Sequence, residues 1–264
     1  MTLSLPQWLV HIGLAWPLAK RDVMARYRGS TLGIFWALLA PLAMVAIYSL
    51  VFRGVFQARW GNTGAGGFDY AARLFAGLMV FTAVAEVATR ATRLMLDNSN
   101  LVKRVVFPLE LLCVALLLQV AVHTGLQMLV LAALLLAFGE GFHATWLLLP
   151  LAWAWIVLLQ FAVALALAAL GCYVRDLQHV VPVSMTGLMF LTPVFYPSES
   201  APEILRTVLA LNPLSAPLEL SRAAWFGDTF AWAGVWPQIG GLLVALGLSS
   251  WLFAKLRPAF ADLV

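Results

Sequence analysis

LELLCVALLLQVAVHTGLQMLVLAALLLAF, residues 109–138, is the stretch that decides the fold class. The hydrocarbon core of a bilayer is crossed by about 20 consecutive apolar helical residues. This run exceeds that length, as does WLLLPLAWAWIVLLQFAVALALAALGCY at residues 146–173, so both imply tilt, a kink or a protruding end. Working outward, further apolar runs occupy residues 31–52, 74–89, 180–195 and 236–254. The expectation is an all-α membrane protein with six transmembrane helices, because a helix satisfies its backbone polar groups without water.

Composition points the same way. Hydrophobic residues make up 63% of the 264 and charged residues 11%, against roughly 45–50% and 25% in soluble domains. A water-soluble fold of this size could not hide so much apolar side chain. Residues 1–30 set Trp8, Leu9, Ile12 and Trp16 beside Lys20, Arg21, Arg26 and Arg28, a pattern suited to a helix lying in the membrane surface. They lack the layout of a secretory signal, and Pro17 is expected to break or kink the helix. They read as a cytoplasmic interface helix, and residues 31–264 as the transmembrane domain. Cys113 and Cys172 fall inside apolar runs and read as small buried hydrophobes.

With a cytoplasmic N-terminus, the inside segments hold eleven Lys and Arg residues (Lys20, Arg21, Arg26, Arg28, Arg90, Arg93, Lys103, Arg104, Arg175, Lys255, Arg257) and the outside segments five (Arg53, Arg59, Arg73, Arg206, Arg222). That is the bias of the positive-inside rule, so both termini are expected in the cytoplasm. The asymmetry also accounts for the pI near 9.4 and leaves no warrant for nucleic-acid binding.

Two connections stand out. Residues 197–235 are too apolar for a free loop yet are broken by Pro202, Asn212, Pro213 and Pro217. Short helices dipping back into the membrane, or lying on it, would reconcile the two features. Residues 90–108, RATRLMLDNSNLVKRVVFP, are the most charged part of the chain. They read as an amphipathic helix interrupted at residues 97–100, and so as a docking surface.

The search for chemistry yields no catalytic, cofactor or metal site. His11, His123, His143 and His179 are scattered without metal-ligand spacing, and no glycine is followed by lysine, so the phosphate-cradling G-x-x-x-x-G-K-[ST] loop is absent. ATP would have to be bound by another polypeptide. Polar residues inside the apolar runs are costly in hydrocarbon and should face protein or water. Gln119, His123 and Gln127, four residues apart with Thr124 beside them, form one stripe on a helix face. The stripe either hydrogen-bonds a neighbouring helix or lines a hydrated conduit. Glu86 and Arg90, at i and i+4, read as an ordinary pair. Phe35, Trp36, Tyr48 and Phe52 in the first run, and Phe190, Phe195 and Tyr196 in the fifth, would suit the C–H faces of a sugar chain. Anchoring at the membrane interface is the alternative.

Four stretches carry a family resemblance. They are KRDVMARYRGSTLGIFWALLAPLAMVAIYSLVF (residues 20–52), NSNLVKRVVFPLELL (98–112), RDLQHVVPVSMTGLMFLTPVFYP (175–197) and NPLSAPLELSRAAWFG (212–227). In this order, across nearly the whole chain, they resemble the membrane subunits of ABC-2 type exporters, specifically the polysaccharide and O-antigen export permeases. The resemblance implies a homodimer in the bacterial inner membrane, bound by two copies of a separate ABC ATPase that holds ATP and Mg. It implies ATPase contacts at Arg21, Asp22, Arg26 and Tyr27 and at Asn98, Asn100, Lys103 and Arg104. It also implies a path lined by the first and fifth spans, an outer gate of re-entrant helices at about residues 198–227, and a lipid-linked polysaccharide as cargo. Teichoic acid, capsular polysaccharide or drug export by the same architecture is the near alternative. A membrane-embedded lipid-glycan enzyme or a non-transporting scaffold is the distant one.

Overall fold

A computed structural model describes residues 5–54, 67–103, 108–139 and 141–264. The described residues form helices and turns, with no strand among them. In chain order the helices are α1 (Leu5–Tyr27), α2 (Trp36–Gly54), α3 (Gly67–Ala91), α4 (Leu94–Asp97), α5 (Ser99–Val102), α6 (Glu110–Phe138), α7 (Leu149–Tyr173), α8 (Leu177–Phe190), α9 (Glu203–Leu211), α10 (Ser215–Phe226), α11 (Trp236–Leu256) and α12 (Phe260–Leu263).

Among the described residues, four helical segments are long and apolar enough to cross a membrane: Phe68–Ala91, Glu110–Phe138, Ala144–Tyr173 and Trp236–Leu263. The first and fifth expected spans are shorter. Helix α2, at Trp36–Gly54, has 19 residues and starts five residues later than the expected span. Helix α8 ends at Phe190 instead of running to residue 195, which gives it a rise of about 21 Å against a hydrocarbon core of about 30 Å. Pro193 explains the early stop, since it offers no N–H and disfavours helical geometry at the residue before it.

The bundle has two ends, joined by α3 and α7. At one end the last turns of α3 and α7 pack with α4, α5, the start of α6, Phe253 and Phe260 around a core that includes Val87, Met95, Leu112, Leu116 and Ala168. The approach is close enough that a Cβ at Gly171 would collide with the Thr92 carbonyl. At the other end the first turns of α3 and α7 pack against α10, where Thr145 Oγ1 donates to the Ala224 carbonyl at 2.8 Å and Trp146 Nε1 to that of Trp225 at 3.0 Å. Every residue of α10 is buried except Glu219, which is partly so. Gly227 closes the helix in the left-handed region, at φ 73°, against the His143 ring.

Helix α1 does not break at Pro17, which lies inside one continuous helix. The helix packs along α6. Ala15, Ala19 and Val23, four residues apart, are buried on one face, and that spacing lets the small side chains bring two helices close. Pro17 sits on the exposed side.

Candidate functional site

The end that carries α4 and α5 gathers most of the predicted coupling residues, but it uses them in two ways. Arg21 is exposed and pairs with its neighbour Asp22 at 2.8 Å, and Asn100 and Lys103 are exposed on and after α5. These side chains are free to meet a partner. Arg26 and Tyr27 also bond into the bundle, Arg26 while still exposed and Tyr27 half-buried. Arg26 Nη1 donates to Glu86 Oε1 at 2.8 Å, and the same oxygen accepts from Arg90 Nη1 at 3.3 Å. Tyr27 Oη and His123 Nδ1 are joined at 3.0 Å, and burial raises the Tyr27 phenol above its ordinary pKa. The last turn of α1 is thus tied to both α3 and α6. Asn98 Nδ2 donates back to the Leu94 carbonyl at 2.9 Å, and the break between α4 and α5 falls at this residue. Arg104 lies outside the described residues.

Within α6, Gln119 and His123 are buried and Gln127 half-buried. The Tyr27 bond makes His123 a helix-to-helix contact. Gln119 Oε1 and His123 Nε2 are buried without a hydrogen-bond partner among the described residues. Thr124 is satisfied locally by the Val120 carbonyl at 2.9 Å.

The predicted aromatics fall into two groups. Phe190 stacks on Phe195 with centroids 5.5 Å apart and planes 23° from parallel, and Tyr196 Oη donates to the Phe190 carbonyl at 2.9 Å. Tyr48 of α2 borders the same core cluster as Phe195. Trp36 opens α2, about 18 Å along the helix from Tyr48, and Phe35 just before it is 68% exposed. The Phe52 side chain lies outside the described residues.

The turn that carries this platform is held by side chains that sequence reasoning passed over. Arg222 of α10, 5% exposed, donates to the carbonyls of Pro193 at 2.9 Å, Val194 at 3.0 Å and Arg73 at 3.3 Å. Asn212 Nδ2 donates to the Leu191 carbonyl at 2.9 Å and to Thr192 Oγ1 at 2.8 Å, while Tyr70 Oη donates to the Phe195 carbonyl at 3.0 Å. Non-helical backbone can lie deep in a membrane protein only when protein or water satisfies it, and here donors from α3, α10 and Asn212, the residue after α9, do so. Gly77 makes room, since a Cβ there would collide with the Arg222 guanidinium. Beside it Arg73 pairs with Asp69 at 2.9 Å and with Asp228, which carries the network to the residue after Gly227.

A sequence profile of the family described as ABC-2 type transporter matches residues 14–226. The chain belongs to this family. The ABC-2 match begins within α1 and ends at the last residue of α10, so both ends of the bundle fall inside it. The chain is also similar to "O-antigen export system permease protein RfbA" of Klebsiella pneumoniae, with 25% identity over 94% of this chain and 93% of that protein. It is similar to the protein of the same description from Myxococcus xanthus, with 29% identity over 95% of each. "Polysialic acid transport protein KpsM" of Escherichia coli is 27% identical over 78% of this chain and 79% of that protein.

Some of what this ABC-2 chain uses was in principle visible earlier. Asp69 and Arg73 have the i,i+4 spacing of a helix pair, and Arg222 sits in the apolar stretch LELSRAAWF, where a cation marks a buried partner. Counting both arginines as outer-loop charges hid that signal. The carbonyls that Arg222 reaches, 28 and 29 residues earlier, had no signal in the sequence. Near the same site, burial raises the Glu219 carboxyl above its ordinary pKa, an effect opposed by a hydrogen bond from Ser198 and by Arg222.

Proposed function

We propose that this chain is the membrane-spanning half of an ATP-driven exporter that carries a lipid-linked polysaccharide of the O-antigen type from cytoplasm to periplasm. The observation that carries the reading is the near full-length similarity to O-antigen export permeases of two genera. The active unit is a homodimer in the inner membrane with both termini cytoplasmic, served by two copies of a separate ATPase that binds ATP and Mg. The eleven-to-five distribution of Lys and Arg supports that orientation, and it makes the α4–α5 end cytoplasmic and the α10 end outer.

On this reading the exposed Arg21, Asn100 and Lys103 and the half-buried Asp22 meet the ATPase together with Asn98 and Arg104. Arg26 and Tyr27 pass the movement inward, to α3 and α6. The path runs past Phe35, Trp36, Tyr48, Phe52, Phe190, Phe195 and Tyr196, with Gln119, His123 and Gln127 contributing polar groups. Helices α9 and α10 are the re-entrant outer pair. The near-complete burial of α10 supports its re-entry, and the exposure of Ile204 and Leu211 (86% and 80%) supports a membrane-facing side on α9. Capsular polysaccharide is the second cargo to test, favoured by the similarity to a polysialic acid transport protein.

The test is genetic and biochemical together. In the native host, deletion of the gene should abolish surface O-antigen while its lipid-linked precursor accumulates inside, and the wild-type gene should restore export. The purified chain should hydrolyse no ATP until its ATPase is added. Normal surface O-antigen in the deletion strain with loss of capsule would move the cargo to capsule. Normal surface levels of both polymers would overturn the proposal.

A further inference from the structure

At the α10 end, a cavity of about 400 Å³ lies between the turn Ser198–Ser200, α9, the start of α10 and the start of α11. That is within the range of sites that hold small molecules, about 300–1,000 Å³. Its walls are fixed before any ligand arrives. Arg206 donates to the carbonyls of Ala201 at 2.8 Å and Glu199 at 2.6 Å. Gln238 accepts from the Ala216 N–H at 3.1 Å and donates to the Ala210 carbonyl at 3.2 Å. Into this frame is built Ser215, a lining residue only 4% exposed, whose hydroxyl has no hydrogen-bond partner among the described residues. A buried hydroxyl left in that state is costly, and since its oxygen is closed to water in this arrangement, a partner in the cavity would meet it after rotation about the Ser215 Cα–Cβ bond.

The chemistry of the wall selects the partner. Glu199, Glu219 and Arg206 line it together, with Arg222 acting on Glu219 from close by, so the charges nearly balance and the wall does not select a phosphate or carboxylate. A sugar hydroxyl both donates and accepts, and can serve Ser215, a carboxylate and a guanidinium alike. Leu209 and Ala210, also on the wall, offer an apolar patch to the C–H face of a ring. We infer that this cavity is a saccharide-binding subsite for an uncharged, hydroxyl-rich sugar unit. Resting on the proposed function, the unit belongs to the exported polymer and is held where the chain leaves the membrane.

The experiment uses the permease–ATPase complex in lipid nanodiscs. The probe is neutral oligosaccharide of one to three repeats, released from the host's own surface polymer, with glycerol phosphate as an anionic control, and binding is read by saturation-transfer NMR. Saturable binding of the oligosaccharide is expected. Ser215→Ala should weaken it about five- to tenfold, the effect of one hydrogen bond, while melting at or above the parent temperature, because an unpartnered buried hydroxyl has been removed. Ala210→Phe, which fills the cavity, should weaken binding more than tenfold. Equal affinity in all three proteins, tighter binding of glycerol phosphate, or absence of saturation in a complex that exports polymer in cells would overturn the subsite and leave the transport function standing. A complex that exports no polymer would remove both.

Discussion

Replacing Arg222 with methionine tests the frame around the turn after α8 most directly. Methionine keeps the aliphatic stem and removes three donated hydrogen bonds, two of them short (2.9 and 3.0 Å) and one longer (3.3 Å). Bonds from a charged donor are worth about 1.5–3 kcal/mol each, so the gross loss is roughly 5–7 kcal/mol with the long one at the bottom of that range. Against this stands the desolvation of a buried guanidinium, several kcal/mol, which the substitution relieves. The carbonyls of Pro193 and Val194 are then left without donors, so the balance remains unfavourable, at about 3 kcal/mol. For a chain of this size that corresponds to a fall in melting temperature of about 6–12 °C. Unfolding in nanodiscs can be followed by the reaction of Cys113 and Cys172, both free and buried, with a thiol-reactive dye. Arg222→Lys should lie between parent and Met variant, since an ammonium lacks the planar fork that reaches separate carbonyls. An Arg222→Met protein that melts within about 2 °C of the parent and exports polymer normally would refute the argument that this guanidinium holds the turn.

Other substitutions separate docking, packing and passage. Arg21→Glu or Lys103→Glu should reduce recovery of the ATPase with the purified permease, while Tyr27→Phe, which removes only the bond to His123 at a cost of about 1 kcal/mol, should leave recovery intact and lower export; equal loss of ATPase in all three would refute the division. Gly171→Ala should lower the yield of folded protein, because the added methyl collides with the Thr92 carbonyl; a normal yield and melting temperature would mean that α4 can give way. Phe190→Ala should reduce surface polymer by dismantling the stacked pair, and Tyr48→Trp should do so by adding bulk; unchanged polymer levels in both would remove these side chains from the path.

Length and hydropathy made most helices legible, since an apolar run such as residues 109–138 has few options other than a buried or membrane-crossing helix. Boundaries and partners were less so. Pro17 was expected to break α1 yet is accommodated on its exposed side, whereas Pro193 ends α8 three residues after Phe190. One amino acid gave opposite outcomes because a neighbouring segment offers the carbonyls after α8 new donors. Spacing of four brought Gln119 and His123 to one face, but it could not choose between water and a helix as their neighbour. Tyr27 supplies part of the answer from 96 positions away. Arg222 illustrates the same limit, because a buried cation advertises that partners exist and not which carbonyls they are.

The two ends of the bundle differ in a way that bears on how force could cross it. At the α4–α5 end the charged contacts are exposed or half-exposed, as in Arg21–Asp22, Arg26–Glu86 and Arg93–Asp97, so a partner can exchange them at little cost. At the α10 end Arg222 and Arg73 are sequestered, and breaking their bonds is expensive. Helices α3 and α7 reach both ends, and each touches its neighbours too closely for a side chain to intervene, at Gly77 and at Gly171. Close-packed contacts of this kind shift between discrete arrangements and do not deform continuously. On the proposed function, a movement imposed by the ATPase would therefore be carried by α3 and α7 as rigid bodies. The turn after α8 would travel with them, because Arg222 fastens it to the carbonyl of Arg73 on α3. On that reading the hinge of the proposed outer gate would lie beyond the Arg222 frame, in the segments flanking α9.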